Sequence, residues 1–416
     1  MPLTSGSPGW GCATVVRRPR LSPVVANARN LLQHALESGG TPVGSLILVA
    51  CSGGPDSLAL ASVAAHSARS GRYRVGAVVV DHGLHPDSAA VSAQTATKLT
   101  ELGLEPVSVR AVTVDQTGMG PEAAARTARF GVLDAAAAEL GASAVLLGHT
   151  LDDQAEQVLL GLARGSGTRS LAGMPAQRGR YLRPFLGLRR EETVEICRFE
   201  GLEPWHDPSN SDPSFARSRV RTQVLPYLED QLGPGVARAL YRTSRILAQD
   251  ADYLDRVSLE KYEQLHVLDG NDILLPEDAL RALPPSLRQR VLALTAVRLG
   301  GEQPSFERIR ATETLLERRG SAGPVQLGGF ISVHRQVRGK SVPQGDPSYG
   351  SLVFRNNRAL SLALRCRPIQ TLRSNWWIHR TSRTTSSMFS IQKRKSSRAS
   401  PSWRLRLIRI TLAGTC

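Results

Sequence analysis

Between Pro42 and Leu202 the chain alternates short apolar runs with longer alanine-rich segments, a pattern that few folds accept. The runs Ser45–Ala50, Val75–Val80, Val107–Val114 and Ala144–Leu147 have the length of strands and are mostly apolar. The segments that follow them, Ser57–Ala68, Ser88–Leu102, Glu122–Leu140 and Asp152–Leu162, have the length of helices. Strand followed by helix, repeated, predicts βαβ units and a parallel sheet. Strands without a polar face belong in a sheet that helices cover on both sides. The expected fold is therefore α/β, an open, doubly wound, mainly parallel sheet. Gly39-Gly40, Gly71, Gly103 and Gly141 fall near the helix ends, where a left-handed cap is expected.

The alternation stops at Leu225-Pro226. Gly235–Gln264 and Pro276–Leu299 repeat Leu, Ile and Tyr at three- and four-residue steps, which predicts helices. Gln303-Pro304 leads into another helix ending near Arg318, and Pro324–Val337 reads as a short hairpin. The expected organisation is a leader and first helix at 1–41, the α/β domain at 42–230, a smaller, mainly helical domain at 231–339, and a basic tail of low order at 340–416. The net charge is +16, but from Lys340 onward 15 Lys and Arg meet a single acid, Asp346, so the tail holds +14 of it. Such a balance suggests nucleic acid as a partner, yet its location says little about the α/β domain. Arginines interleaved with Trp376-Trp377 would suit an arm that grips RNA. The lack of acids and of periodicity fits an extension without selected structure better.

The five cysteines, Cys12, Cys51, Cys197, Cys366 and Cys416, include no C-x-x-C pair. A disulfide scaffold, a zinc ribbon and a thioredoxin-type centre are excluded, and a reducing cytoplasm is the expected setting. No apolar run reaches the roughly 18–20 residues of a membrane helix. Arg17-Arg18 is followed by Pro19-Arg20 and no apolar stretch, so residues 1–22 read as a flexible leader.

The strongest local signal is Ser52-Gly53-Gly54-Pro55-Asp56-Ser57, between the first strand and the first long helix of the α/β domain. Two glycines let backbone N–H groups approach an anion, the serines add hydroxyl donors, and the helix N-terminus adds the positive end of a dipole. Asp56 repels an anion, which makes sense if it carries Mg²⁺ or caps the helix. The loop lacks the G-K-[ST] of a Walker A motif and is not G-x-G-x-x-G. His149, Asp153 and Glu156 stand at i, i+4 and i+7 and would share a helical stripe, with Asp152 beside them. An acidic first helical turn is the alternative. Arg126 and Arg129 are three apart on one helical face, and Arg217, Arg219 and Arg221 alternate, so an extended segment would point all three one way. A solvated basic face is the alternative for these. Arg178, Arg180 and Arg183 extend the same reading, and Asp81-His82 end a strand where open α/β sheets bind ligands.

The loop resembles the SGGxDS signature of the N-type ATP pyrophosphatases, whose fold is a Rossmann-like PP-loop domain. Further segments are similar to the tRNA(Ile)-lysidine synthetase family in particular. They are Asp81-His82-Gly83-Leu84, Glu122–Phe130 (EAAARTARF), His149–Gly167 (HTLDDQAEQVLLGLARGSG), Leu171–Met174, Arg183-Pro184, Asp207–Asn210 and Ala216–Pro226 (ARSRVRTQVLP). The resemblance is collinear over about residues 42–230. His85, Thr150-Leu151 and Ser218 depart from the family's usual Arg, His-Ala and Asn.

The resemblance implies a two-step ligation. The C2 carbonyl oxygen of the wobble cytidine in the CAU anticodon of an isoleucine tRNA attacks the α-phosphate of ATP and releases pyrophosphate. The ε-amine of L-lysine then attacks C2 and expels AMP, forming lysidine. ATP and Mg²⁺ are the implied cofactors, with Ser52, Gly53, Gly54, Pro55, Asp56 and Ser57 around the nucleotide, Asp56 on the metal, and Asp81 and His82 near adenosine. Arg126, with Arg129, corresponds to the phosphate-contacting element, and Asp153 and Glu156 to the lysine-handling carboxylates. Asp152, His149, Arg217, Arg219 and Arg221 join the expected substrate-binding surface, and the resemblance makes the helical domain at 231–339 the expected tRNA-binding domain. A tRNA thiolase of the same superfamily and a non-catalytic nucleotide-binding module are the alternatives. The oligomeric state is open, a homodimer included.

Overall fold

The computed structural model describes residues 21–358, apart from 82, 84–86, 113–120, 166, 208–211, 319 and 338–349. His82, the leader before residue 21 and most of the expected tail therefore lie outside the described residues. Helix α1 (Pro23–Ser38) opens the fold, with Ser22 Oγ accepting from the Val24 N–H as its cap. There follow β1 (Leu46–Cys51), α2 (Pro55–Arg69), β2 (Arg74–Asp81), α3 (Ser88–Glu101), β3 (Val107–Ala111), α4 (Pro121–Glu139) and β4 (Ala144–Leu147). Next come α5 (Leu151–Ala163), the short α6 (Thr168–Leu171), β5 (Gln177–Arg178), β6 (Tyr181–Leu182) and α7 (Arg190–Phe199).

The six strands line up as β3-β2-β1-β4-β6-β5, parallel except for the β5–β6 pair. All of β1 and β4 is buried, as their unbroken apolarity requires. One face carries a core of α1, α2 and α3 residues such as Leu32, Leu58 and Leu99, and the other a core with Leu133 and Ala136 of α4. The strand order reverses between β1 and β4. Crevices at such a switch point, beyond the carboxyl ends of the strands, are where open α/β sheets bind ligands. The loop at residues 52–57 follows β1, and His149 with α5 follows β4.

Beyond the sheet, α8 (Ala216–Arg219) runs through a π-helical turn, Val220–Val224, into α9 (Leu225–Leu232). The 30-residue α10 (Val236–Leu265) then packs against α5, α6 and the later α12. The second region continues with β7 (Val267–Asp269), β8 (Asp272–Pro276), α11 (Glu277–Ala282), α12 (Pro285–Arg298), α13 (Phe306–Glu313), β9 (Ala322–Gln326), β10 (Ile331–Val337) and β11 (Gly350–Asn356). The expected hairpin is present as β9 and β10, but it belongs to a five-stranded sheet ordered β7-β8-β11-β10-β9.

The second region is thus less purely helical than its periodicity suggests, and it includes residues 350–356 of the segment read as tail. The reason is local: β11 alternates little and lies in a basic context, while its stability comes from pairing with β8 and β10 on either side. Leu352 and Phe354 are fully buried in a core shared with Leu275, Val291 and Ile331. Phe354→Ala is expected to destabilise this region by about 3–5 kcal/mol, the usual cost of emptying a buried aromatic site. Urea unfolding followed by circular dichroism checks this, and an unchanged midpoint would deny β11 its place in the core.

Candidate active site

The loop takes its shape from two close approaches. Gly53 has φ +83°, and a Cβ there would lie 2.5 Å from Thr95 Oγ1. Gly148, at the end of β4, leaves room for the start of α2, because its Cβ would fall 2.9 Å from the Asp56 carbonyl oxygen. The Ser57 hydroxyl donates to the Gly54 carbonyl at 3.0 Å and accepts from the Ser52 N–H at 3.2 Å. Ser57 therefore organises the loop from within, whereas the sequence suggested a donor directed at the ligand. Gly54 is the N-cap residue of α2 and Pro55 begins the helix. Asp56 is not a cap: its carboxylate accepts from the Thr193 hydroxyl at 2.5 Å and faces Arg190.

Arg190 organises four carboxylates. Its Nε lies 3.5 Å from Asp56 Oδ2, one terminal nitrogen 3.1 Å from Asp153 Oδ1 and the other 3.5 Å from Glu156 Oε1. Its backbone N–H donates to Asp152 Oδ2 at 2.7 Å, and Asp152 Oδ1 is 3.1 Å from Arg189 Nε. Asp152 therefore fixes the start of α7. Neither Arg190 nor Thr193 stands out in the sequence. The available signal was electrostatic: Arg189 and Arg190 sit at the N-cap and first position of α7, where a helix dipole disfavours cations unless acids answer them.

Asp153 and Glu156 do come together, one turn apart on α5. His149 precedes that helix rather than sharing its stripe, because Thr150 is the N-cap residue and Asp153 Oδ2 accepts its N–H at 2.8 Å. Glu156 is fully buried. Arg217 Nε donates to its Oε2 at 2.8 Å and Arg221 Nε to its Oε1 at 2.7 Å. The extended geometry expected for Arg217, Arg219 and Arg221 is overturned. The segment is helical, so Arg217 and Arg221, four apart, share a face, while Arg219 turns to the carbonyls of Pro213 and Ser214 at 2.7 and 2.9 Å. π-helical turns are rare and recur at functional sites.

Burial alone would raise the pKa of Asp153, but Arg190 and Arg217, with His149 and the Thr150 N–H, outweigh it and hold the carboxyl at about 2. Asp56 is shifted upward by burial, with Asp153 adding to the effect against Arg190 and Thr193. Arg190 rises, because the carboxylates overcome its burial.

The other side of the crevice is basic. Burial, with the charges of Arg183, Arg129 and Arg126, lowers His149 to about 3 although Asp153 opposes the shift. Its buried Nδ1 has no hydrogen-bond partner among the described residues. Arg129 is lowered by burial, and Arg183 reaches about 10 through burial and the neighbouring Arg126 and Arg178. Neither has a carboxylate partner among the described residues. Arg126 is exposed and lies over the Phe130 ring, 5.2 Å from its centroid. Asp81 Oδ1 accepts the Gly83 N–H at 2.9 Å at the end of β2. The crevice thus pairs a carboxylate wall neutralised by arginine with a basic wall of Arg126, Arg129, His149 and Arg183, a charge suited to a polyphosphate.

The His149 shift has a pH consequence. Its folded pKa lies below the ordinary 6.5, so between about 6.5 and 3 the unfolded chain holds a proton that the folded chain refuses. Stability from this source falls as the pH drops through that window. His149→Gln should make the pH dependence of the unfolding free energy between pH 6 and 4 shallower by up to ~1.4 kcal/mol per pH unit. Urea melts at pH 6, 5 and 4 read it, and identical slopes would refute it.

Comparison with known proteins agrees with this geometry. Residues 25–228 match the PP-loop domain family, and residues 275–339 match the TilS substrate binding domain. The tRNA(Ile)-lysidine synthase of Leifsonia xyli subsp. xyli is 50% identical over 294 residues, covering 70% of this chain and 88% of that protein. That of Streptomyces coelicolor is 46% identical over 311 residues, 74% of this chain and 87% of that one. That of Thermobifida fusca is 49% identical over 278 residues, 67% and 84% respectively. A nucleotide loop at the switch point, a carboxylate pair on the helix that follows the neighbouring strand and identity along most of the chain lead to one assignment: the chain belongs to the tRNA(Ile)-lysidine synthase family.

Proposed function

We propose that the chain ligates L-lysine to C2 of the wobble cytidine in the CAU anticodon of an isoleucine tRNA, consuming ATP and releasing pyrophosphate and AMP. The observation that carries this reading is the bridge between the nucleotide loop and the α5 carboxylates, with Arg190 within 3.5 Å of Asp56, Asp153 and Glu156 alike. A carbonyl oxygen is a poor leaving group, so the cytidine must first be adenylated. The nucleotide and the lysine then have to meet at one place, and this crevice joins the two.

In this reading the loop from Ser52 to Ser57 holds the phosphates, Asp81 lies toward adenosine, and Arg126 and Arg129 draw off the charge that develops at the α-phosphate. Asp153, kept ionised far below neutrality, suits it to hold the lysine ammonium rather than to deprotonate it. Lysine has an ordinary pKa near ~10.4 and must lose a proton before attack. We assign that proton to Glu156, once Arg217 or Arg221 yields one of its oxygens.

Mg²⁺ fits at Asp56. Mg²⁺ commonly uses one or two carboxylates together with substrate phosphates. Among the described residues no group of three or more His, Cys, Asp or Glu could hold a metal ion alone. Asp56 would be the protein ligand to an ion that arrives with ATP and neutralises its phosphates. Among the described residues no helix is long and apolar enough to cross a membrane, and we assign the protein to the cytoplasm.

Incubation with ATP, Mg²⁺, radiolabelled lysine and an unmodified isoleucine tRNA transcript with a CAU anticodon tests the reading. Lysine should be fixed in the tRNA, with kcat/KM lower by about 10²–10⁴ in Asp56→Ala and Glu156→Gln. Arg190→Met should raise the KM for lysine and lower kcat together. AMP and pyrophosphate without fixed lysine would mean another acceptor, and no cleavage of ATP would end the enzyme reading.

A further inference from the structure

A fully buried hydroxyl lies against the crevice at Thr193, one turn into α7. The face that carries it also buries Ile196 and Cys197 and packs on α2. Thr193 Oγ1 is 2.5 Å from Asp56 Oδ1 and 2.7 Å from the Arg190 carbonyl oxygen. One turn further on, the Cys197 thiol donates to the Pro55 carbonyl at 3.4 Å. Two side chains of α7 thus meet consecutive residues at the start of α2, one at the backbone and one at the carboxylate.

The three carboxylates around Arg190 are held differently. Glu156 has Arg217 and Arg221 at 2.8 and 2.7 Å, and Asp153 has Arg190, Arg221 and Arg217 at 3.1, 3.3 and 3.7 Å. The ion pair of Asp56 with Arg190 is 3.5 Å long, and its short contact is the neutral hydroxyl. A hydroxyl has one proton and cannot serve both of its acceptors at once. The carboxylate is the stronger acceptor, so the proton goes to Asp56. The position of Oγ1 over the Arg190 carbonyl is one of the two rotamers open to a helical threonine, which fixes the donor without strain. The outcome is an oriented carboxylate with one oxygen engaged and its charge not cancelled by a close cation.

We propose that Thr193 is a positioning residue for Asp56, its hydroxyl fixing Oδ1 and leaving Oδ2 as the oxygen for the Mg²⁺ that accompanies ATP. The proposal rests on the reading of Asp56 as a magnesium ligand and deepens it. Mg²⁺ demands near-ideal octahedral geometry, so a carboxylate that must first be ordered binds it less tightly than one held in place. A guanidinium at the position of Thr193 would orient Asp56 equally well but would repel the ion. A neutral donor orients the carboxylate without opposing the charge of the metal.

The test uses the full chain with Thr193→Val, which keeps the shape and removes the hydroxyl, and with Thr193→Ser, which keeps the hydroxyl. ATP affinity is measured by titration calorimetry in Mg²⁺ and again in EDTA, and the ratio of the two reads what the metal contributes. For Thr193→Val we expect this ratio to fall about 10-fold, the size of a hydrogen bond to a charged group, with the affinity in EDTA unchanged. Thr193→Ser should keep the wild-type ratio. The KM for lysine should not move in either variant, because Asp153 and Glu156 keep their own arginines. A wild-type ratio in Thr193→Val overturns the proposal. Equal loss of affinity with and without Mg²⁺ also overturns it, by showing a structural role alone. An unchanged ratio in Asp56→Ala would overturn it at its premise, by removing Asp56 as a metal ligand, while leaving the ligase reading intact.

Discussion

A single guanidinium holds the crevice together. Asp56, Asp153 and Glu156 come from two helices that start beneath neighbouring strands, and without a cation among them their charges would force those starts apart. Arg190 meets all three, and its own backbone N–H is fixed by Asp152. Glu156 is too buried for water to share the burden, so it depends on Arg217 and Arg221 as well. Breaking a buried pair of this kind by removing one member typically costs about 3–5 kcal/mol. Asp153 is thereby held ionised before any substrate arrives.

The opposite wall follows the inverse logic. His149, Arg129 and Arg183 are desolvated next to one another, and burial lowers each of their pKa values. Desolvating these groups together is costly, and the fold sustains it through the packing of α4 and the β4–β6 pair. Helix α2, which carries Asp56, and α4, which carries Arg129, pack on opposite faces of the sheet, so the electrostatic division follows from topology.

Much of this was legible beforehand, for identifiable reasons. The parallel sheet was readable because β1, β2 and β4 are buried on both faces and cannot hide their apolarity behind alternation. The nucleotide loop and the pair Asp153 and Glu156 were readable because their spacing is local. Arg190 and Thr193 were not, because their partner Asp56 is more than a hundred residues away and only the closed fold brings them together. The orientation of Arg217, Arg219 and Arg221 was misjudged since alternation of charge mimics a strand, whereas Val220, Leu225 and Ala237 form a small core with α5 that favours helix. β11 escaped notice because β8, one of its two partners, precedes it by a long separation in the chain.

That last arrangement bears on how the protein is made. The α/β sheet has all its strands once the chain has been synthesised through Leu182, but the second sheet is completed only when Gly350–Asn356 slots between strands made earlier. Until then β8 and β10 each present an unpaired edge, the kind of surface on which nascent chains associate wrongly. The nucleotide-binding half can therefore mature on the ribosome ahead of its companion, and the interval before β11 emerges is when the second region most needs shielding.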